Sequence, residues 1–147
     1  TLMNKNIAIF GFAYKANTND SRDSPSTKVC AMLLEEGAYL NIVDSTIPKE
    51  QIYTELESFN PKFTHQLLNQ KVRVFNKDLY EAANEVHAIV ILNDSAIFCN
   101  ADYQRIYNSM SKPAFIFDGR NLLDRKKLRE IGFCTHSVGV PPDVLES

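Results

Sequence analysis

Five short apolar runs recur along the chain, and the segments between them carry helix signals. They read NIAIFG at 6–11, YLNIVD at 39–44, KVRVF at 71–75, VHAIVIL at 86–92 and AFIFD at 114–118. Apolar runs of this length bounded by turn residues are strand signals, and an apolar run without alternation suits a strand buried on both faces. Between the first two, Ser24-Pro25 opens a helix, with serine as N-cap and proline at the first helical position. Val29, Met32 and Leu33 then recur at helical spacing, and Gly37 supplies a C-terminal stop. Thr46-x-Pro48 begins another helix carrying Ile52 and Leu56. The stretches 78–83, 101–110 and 124–131 also read as helical, and 133–138 as a sixth strand. The polar stretch 58–70 reads as a loop or an irregular helix.

Strands alternating with helices imply a parallel sheet covered on both faces. With right-handed crossovers, the simplest arrangement is a doubly wound, mostly parallel Rossmann-like α/β sheet of about six strands. No internal repeat or linker interrupts the pattern, so residues 1–147 read as a single domain, a length that buries a core without staples. Sheets of this kind bind ligands at the carboxyl ends of the strands where strand order reverses, between the first and fourth strands. That rule selects three loops: 12–24, 93–98 and 119–123.

Composition narrows the function classes. A formal net charge of −2 argues against a nucleic-acid partner, which needs a basic face. No run approaches the length of a membrane helix, and no secretory signal opens the chain. Cys30, Cys99 and Cys134 are widely spaced and odd in number, which argues against a disulfide framework or a metal site and suits a reducing cytoplasm. The chain begins with Thr1 rather than methionine, a hint of a piece of a longer polypeptide.

The first loop, GFAYKANTNDSRDSPS, places Lys15 and Arg22 just ahead of a helix N-terminus. Unpaired N–H groups and the positive end of the helix dipole suit a phosphate there, with lysine as a point charge and arginine as a planar fork. The alternative is a solvated loop in which Arg22 pairs with Asp20 or Asp23. The loop is longer than is usual between a strand and a helix, which favours a functional role. After the fifth strand, FDGRN puts Arg120 where it faces the same crevice as Lys15. Two cations converging on one switch point form the candidate anion site.

Absent motifs matter as well. Gly11 is not followed by a GxGxxG, and no GxxxxGK[ST] loop exists, so neither a standard dinucleotide site nor a P-loop is provided. Asp44 ends the second strand, where a ribose-binding acid stands in dinucleotide sheets; without the glycines a capping or turn role is expected. His65, His87 and His136 are scattered, and His87 reads as a packed or edge residue. Cys30 and Cys134 are expected in the core, as are Phe10, Phe115 and Phe117, whereas Cys99 lies in a loop with no neighbouring base.

The segment IAIFGFAYKANTNDSRDSPS resembles the opening of the C-terminal domain of UDP-glucose 6-dehydrogenases, whose pattern is roughly GFxFKxxTxDxRxS. AFIFDGRN is similar to that family's DGR element, VHAIVIL to the strand between the two motifs, and LEEGAYLNIVDSTIP to its helix, strand and turn. The resemblance covers essentially the whole chain. It implies that a separate N-terminal domain binds NAD and carries a catalytic cysteine, that a central helix links the domains, and that the C-terminal domain holds UDP. It also implies a homo-oligomer at full length and two NAD-dependent oxidations turning the sugar alcohol into a carboxylate. By motif, Tyr14, Lys15 and Arg120 should contact the nucleotide sugar, while Arg22 should reach NAD bound by the N-terminal domain. Tyr14 replaces the usual phenylalanine, and Asn93-Asp94-Ser95 replaces a Thr-Glu-Trp-like run. The same motifs occur in GDP-mannose and UDP-N-acetyl-mannosamine dehydrogenases. Alternatives are therefore a domain of one of those enzymes or a free-standing nucleotide-sugar sensor or assembly domain.

Overall fold

The computed structural model of the chain describes residues 1–13 and 24–137. The strands are β1 (Asn6–Phe10), β2 (Tyr39–Val43), β3 (Val72–Phe75), β4 (Ala88–Ile91), β5 (Phe115–Asp118) and β6 (Cys134–Ser137). They form one sheet in the order β3-β2-β1-β4-β5-β6, and every neighbouring pair is parallel. This is the doubly wound arrangement expected from the sequence, with the order reversing between β1 and β4.

Seven helices join these strands among the described residues: α1 (Pro25–Glu35), α2 (Lys49–Phe59), α3 (His65–Lys71), α4 (Leu79–Ala83), α5 (Ala96–Cys99), α6 (Tyr103–Ser109) and α7 (Arg125–Ile131). Their starts follow local chemistry. Ser24 Oγ accepts from the Ser26 N–H at 3.1 Å, and Pro25 opens α1 where its missing N–H costs nothing. Asp78, Asp102 and Asp124 cap α4, α6 and α7 by accepting from the N–H groups of Glu81, Arg105 and Lys127.

The stretch 58–70 is more regular than its polarity suggests. Helix α2 runs on to Phe59, and Thr64 Oγ1 accepts from the Leu67 N–H at 3.2 Å to start α3. What fixes α3 is burial of Leu68 and a bond from the Tyr53 hydroxyl to the Val72 carbonyl at 3.1 Å. Those contacts are tertiary, so the segment's polarity concealed the helix.

Alternation along the strands splits the core in two. Ile7 and Ile9 face α1–α3 with Leu40, Ile42, Ile52 and Leu56. Ala8 and Phe10 face the opposite side with Ile89, Ile91, Ile116 and Ile106. Each fully buried Leu, Ile or Phe contributes about 1.5–3 kcal/mol from transfer out of water.

Helices lie on both faces, but cover them unequally. Among the described residues, the α1 side of β4 and β5 borders an open apolar groove of about 600 Å³, lined by Leu33, Val90, Phe115 and Phe117 among others. Phe117 is therefore 40% exposed and stacks on His136, with ring centroids 5.0 Å apart, rather than lying in the core as expected. Cys134, on the outermost strand, is also exposed, against expectation. Their neighbours Ile116 and Thr135 are buried. The alternation was legible; which side a helix would cover was not.

Candidate functional site

The carboxyl ends of β1, β2, β4 and β5 meet at the switch point, and two buried carboxylates organise the backbone there. Asp44, just beyond β2, is 6% exposed. Its Oδ2 accepts from the N–H groups of Phe12 at 2.8 Å and Ala13 at 2.9 Å, at the root of the first loop. Its Oδ1 accepts from the Thr46 N–H at 2.8 Å and the Thr46 hydroxyl at 2.7 Å. Four donors thus occupy one carboxylate, leaving it little capacity for a ribose. The expected turn role of Asp44 holds. Phe12 and Ala13 follow Gly11 in place of the glycines that let a dinucleotide pyrophosphate approach in the usual way.

The strand ends are also held very close. Gly11 has φ +96°, and a Cβ there would stand 2.3 Å from Asn93 Cγ. Asn93 is 3% exposed, and its Oδ1 accepts from the Ser95 N–H at 3.2 Å, which shapes the loop after β4. Asp44, Thr46, Asn93, Ser95, Ile97 and Phe98 help to line a small hollow of about 10 Å³, room for about one water.

On the other side of β4, the DGRN loop is anchored by Asp118, which is 2% exposed. Oδ1 accepts from the Arg120 N–H at 3.1 Å, and Oδ2 from those of Leu122 at 2.7 Å and Leu123 at 2.8 Å. Gly119 donates to the Ile91 carbonyl at 3.0 Å, and a Cβ there would come within 2.8 Å of the same oxygen, so the close approach requires glycine. Tyr103 lies nearby, its hydroxyl donating to the Phe98 carbonyl at 2.6 Å. Burial, reinforced by the Asp118 carboxylate, pushes its phenol far up, so it stays a neutral donor.

Arg120 projects from this anchored loop. Its Nη2 lies 3.7 Å from Asp94 Oδ2, with side chains 42% and 51% exposed. An exposed pair at this distance is worth about 0–1 kcal/mol, so a phosphate able to accept two hydrogen bonds can displace Asp94. The contact shows that the loops after β4 and β5 converge at the crevice. Tyr14, Lys15 and Arg22 lie outside the described residues. Sequence reading singled out Arg120 and the loop beginning at Asn93 but missed Asp118; a strand-ending Asp followed by Gly was the available signal for an Asx-type turn.

Among the described residues, the remaining titratable groups form no second cluster. No group of three His, Cys, Asp or Glu side chains suited to a metal occurs among the described residues. His87 Nδ1 accepts from the Asn6 N–H at 3.0 Å, the packed role expected of it, and His65 pairs with Glu57 at 3.4 Å. No described helix is long and apolar enough to cross a membrane.

A parallel sheet with this strand order, and loops that converge at the carboxyl ends of its strands, define a doubly wound, Rossmann-like α/β domain. The chain belongs to the UDP-glucose/GDP-mannose dehydrogenase family, whose UDP binding domain it matches over residues 8–125. It is 41% identical, over 97% of its length, to UDP-glucose 6-dehydrogenase 2 of Arabidopsis thaliana. It is 42% identical, over 95% of its length, to UDP-glucose 6-dehydrogenase of Drosophila melanogaster. It spans 31% and 29% of those relatives, about a third of their length. Among solved structures, the NDP-N-acetyl-D-galactosaminuronic acid dehydrogenase of Methanosarcina mazei superposes with a TM-score of 0.74 at 19% identity, over 96% of this chain and 26% of that one. A UDP-glucose dehydrogenase of Pyrobaculum islandicum gives 0.59 at 22% identity, over 90% of this chain and 26% of that one. At these identities the superpositions speak for the fold.

Proposed function

We propose that residues 1–147 are the single UDP-binding domain of a UDP-glucose 6-dehydrogenase, gripping the diphosphate of UDP-glucose at the β1–β4 reversal. The observation that carries this reading is near-complete alignment, at about 41% identity, with enzymes of that name. Arg120, on its anchored loop at the site the topology selects, supports it. In the proposed complex Arg120 gives a phosphate its planar fork, Lys15 a second positive charge, and Tyr14 a further contact.

The whole enzyme, a cytoplasmic homo-oligomer in this reading, oxidises UDP-glucose to UDP-glucuronate with two NAD. NAD supplies the hydride acceptor and is bound by a separate N-terminal domain. This fits the saturated Asp44 carboxylate, which leaves the present crevice without a ribose-reading acid. From this chain, Arg22 reaches towards the cofactor.

Titration calorimetry with UDP and UDP-glucose tests the assignment. Arg120→Ala and Lys15→Ala are each expected to lose about 1.5–3 kcal/mol of binding, a weakening of roughly 10- to 150-fold, with folding intact. Unchanged affinity in both variants removes the site assignment, and no heat with either ligand removes the nucleotide reading. In the full-length enzyme Arg22→Ala should raise the NAD requirement more than the UDP-glucose requirement; the reverse pattern places Arg22 at the sugar nucleotide instead.

A further inference from the structure

We propose that Asp118 is a positioning residue for ligand capture: its buried carboxylate fixes the backbone of 119–123 and thereby aims Arg120 at the anionic ligand. The inference rests on the reading above that Arg120 holds the diphosphate.

Asp118 is 2% exposed, and burying a carboxylate is costly unless hydrogen bonds replace its hydration. Here the replacement comes from three backbone N–H groups, those of Arg120, Leu122 and Leu123. They flank the Arg120 side chain, and one belongs to Arg120 itself. From below, Gly119 is pinned to the Ile91 carbonyl at 3.0 Å. The Arg120 backbone is therefore gripped on both sides, whereas among the described residues its guanidinium pairs loosely with Asp94 at 3.7 Å. A rigid root with a loosely paired tip leaves the fork available to a ligand while limiting the ordering cost of binding.

The residue type matters. A carboxylate accepts from three donors at once, with one oxygen taking two of them. Asparagine keeps the size but presents an NH₂ towards N–H groups, removing at least one bond and adding a repulsive contact. Asp118→Asn should therefore loosen the loop while retaining the bulk of the side chain.

The test combines amide hydrogen exchange with a double-mutant cycle read by UDP titration on the full chain. In the unsubstituted protein the amides of Arg120, Leu122 and Leu123 should be protected; exchange at free-loop rates there overturns the proposal without any variant. In Asp118→Asn, protection should fall at one or more of Arg120, Leu122 and Leu123 but persist at Ile89 and Ile116, and UDP affinity should drop by about tenfold or more. Because Asp118 acts through Arg120, adding Asp118→Asn to Arg120→Ala should cost less than about a further twofold. Independent, multiplying losses would make Asp118 merely structural and overturn the proposal, as would an Asp118→Asn affinity within twofold of the parent. If the unsubstituted chain gives no heat with UDP, the functional reading fails and the positioning role falls with it. Persistent protection at all three of Arg120, Leu122 and Leu123 in the variant instead refutes the anchor alone.

Discussion

The side chain of Asn93 fills the space that a Cβ on Gly11 would need, its Cγ only 2.3 Å from that position. The end of β1 and the loop after β4 are thus in van der Waals contact at the reversal of strand order. Gly11 also holds φ +96°, where L-residues are strained. Two separable costs therefore oppose substitution. Gly11→Ala should lower stability by about 2–5 kcal/mol, combining backbone strain of about 1–2 with overpacking of about 1–3. Adding Asn93→Ala should recover the overpacking part when measured against Asn93→Ala alone, and urea midpoints would report both. No recovery in the double variant would show that strain alone governs the site.

Asp44 ties the root of the first loop to the end of β2. Asp44→Ala strips acceptors from the N–H groups of Phe12 and Ala13, both buried. A loss of about 2–4 kcal/mol is expected, more than one ordinary hydrogen bond, because the bonds removed are to a charged group. A loss below about 1 kcal/mol in chemical denaturation would mean the turn holds without its carboxylate.

Adjacent residues of β5 should respond very unequally. Ile116 is 1% exposed, and Ile116→Ala should cost about 2–5 kcal/mol by leaving a cavity. Phe117, larger but 40% exposed above the open groove, should cost less than about 1.5 kcal/mol on change to serine. Equal losses in thermal unfolding would mean that the groove side of β5 is covered after all.

Burial pushes the Cys30 thiol from 9.0 up to about 12. The native state therefore keeps this proton where the unfolded chain has released it, and ∂ΔG/∂pH is negative between the two values. The thiol's relative contribution is intact below pH 9 and is lost as pH rises from 9 to about 12. Cys30→Ala should flatten the fall in stability over that window, as followed by denaturation at stepped pH. In the native chain Cys99 and Cys134, both exposed, should label with a thiol reagent while Cys30 does not; rapid modification of Cys30 would contradict its burial.

Much of the architecture was legible because it rests on local chemistry. The apolar runs became strands, Ser24-Pro25 became a helix start, and the reversal fell between the first and fourth strands as connection rules require. The placement of Arg120 was legible because topology alone put the loop after the fifth strand beside the loop after the fourth. The misses were tertiary. Helix α3 depends on Leu68 finding a core and on Tyr53 reaching the Val72 carbonyl. Phe117 and Cys134 were assigned to the interior because alternation says which residues share a face, not whether anything covers that face. Asp118 escaped notice because an acid at a strand end looks like a turn residue until its three N–H partners are seen.

The seam between β1 and β4 divides the polypeptide as well as the sheet. Residues 6–75 supply β1–β3 and residues 88–137 supply β4–β6, joined through four register pairs from Ile7 with Ala88 to Phe10 with Ile91. The exposed turn at 76–78 lies between these halves, and α4, just beyond it, reaches back to pack on β2 and β1. A backbone nick at that turn severs the wall built around Asp44 from the wall built around Asp118 while keeping α4 as a clasp. If the proposed function holds, nucleotide capture by the nicked chain would signal reassembly and make the domain a two-fragment reporter.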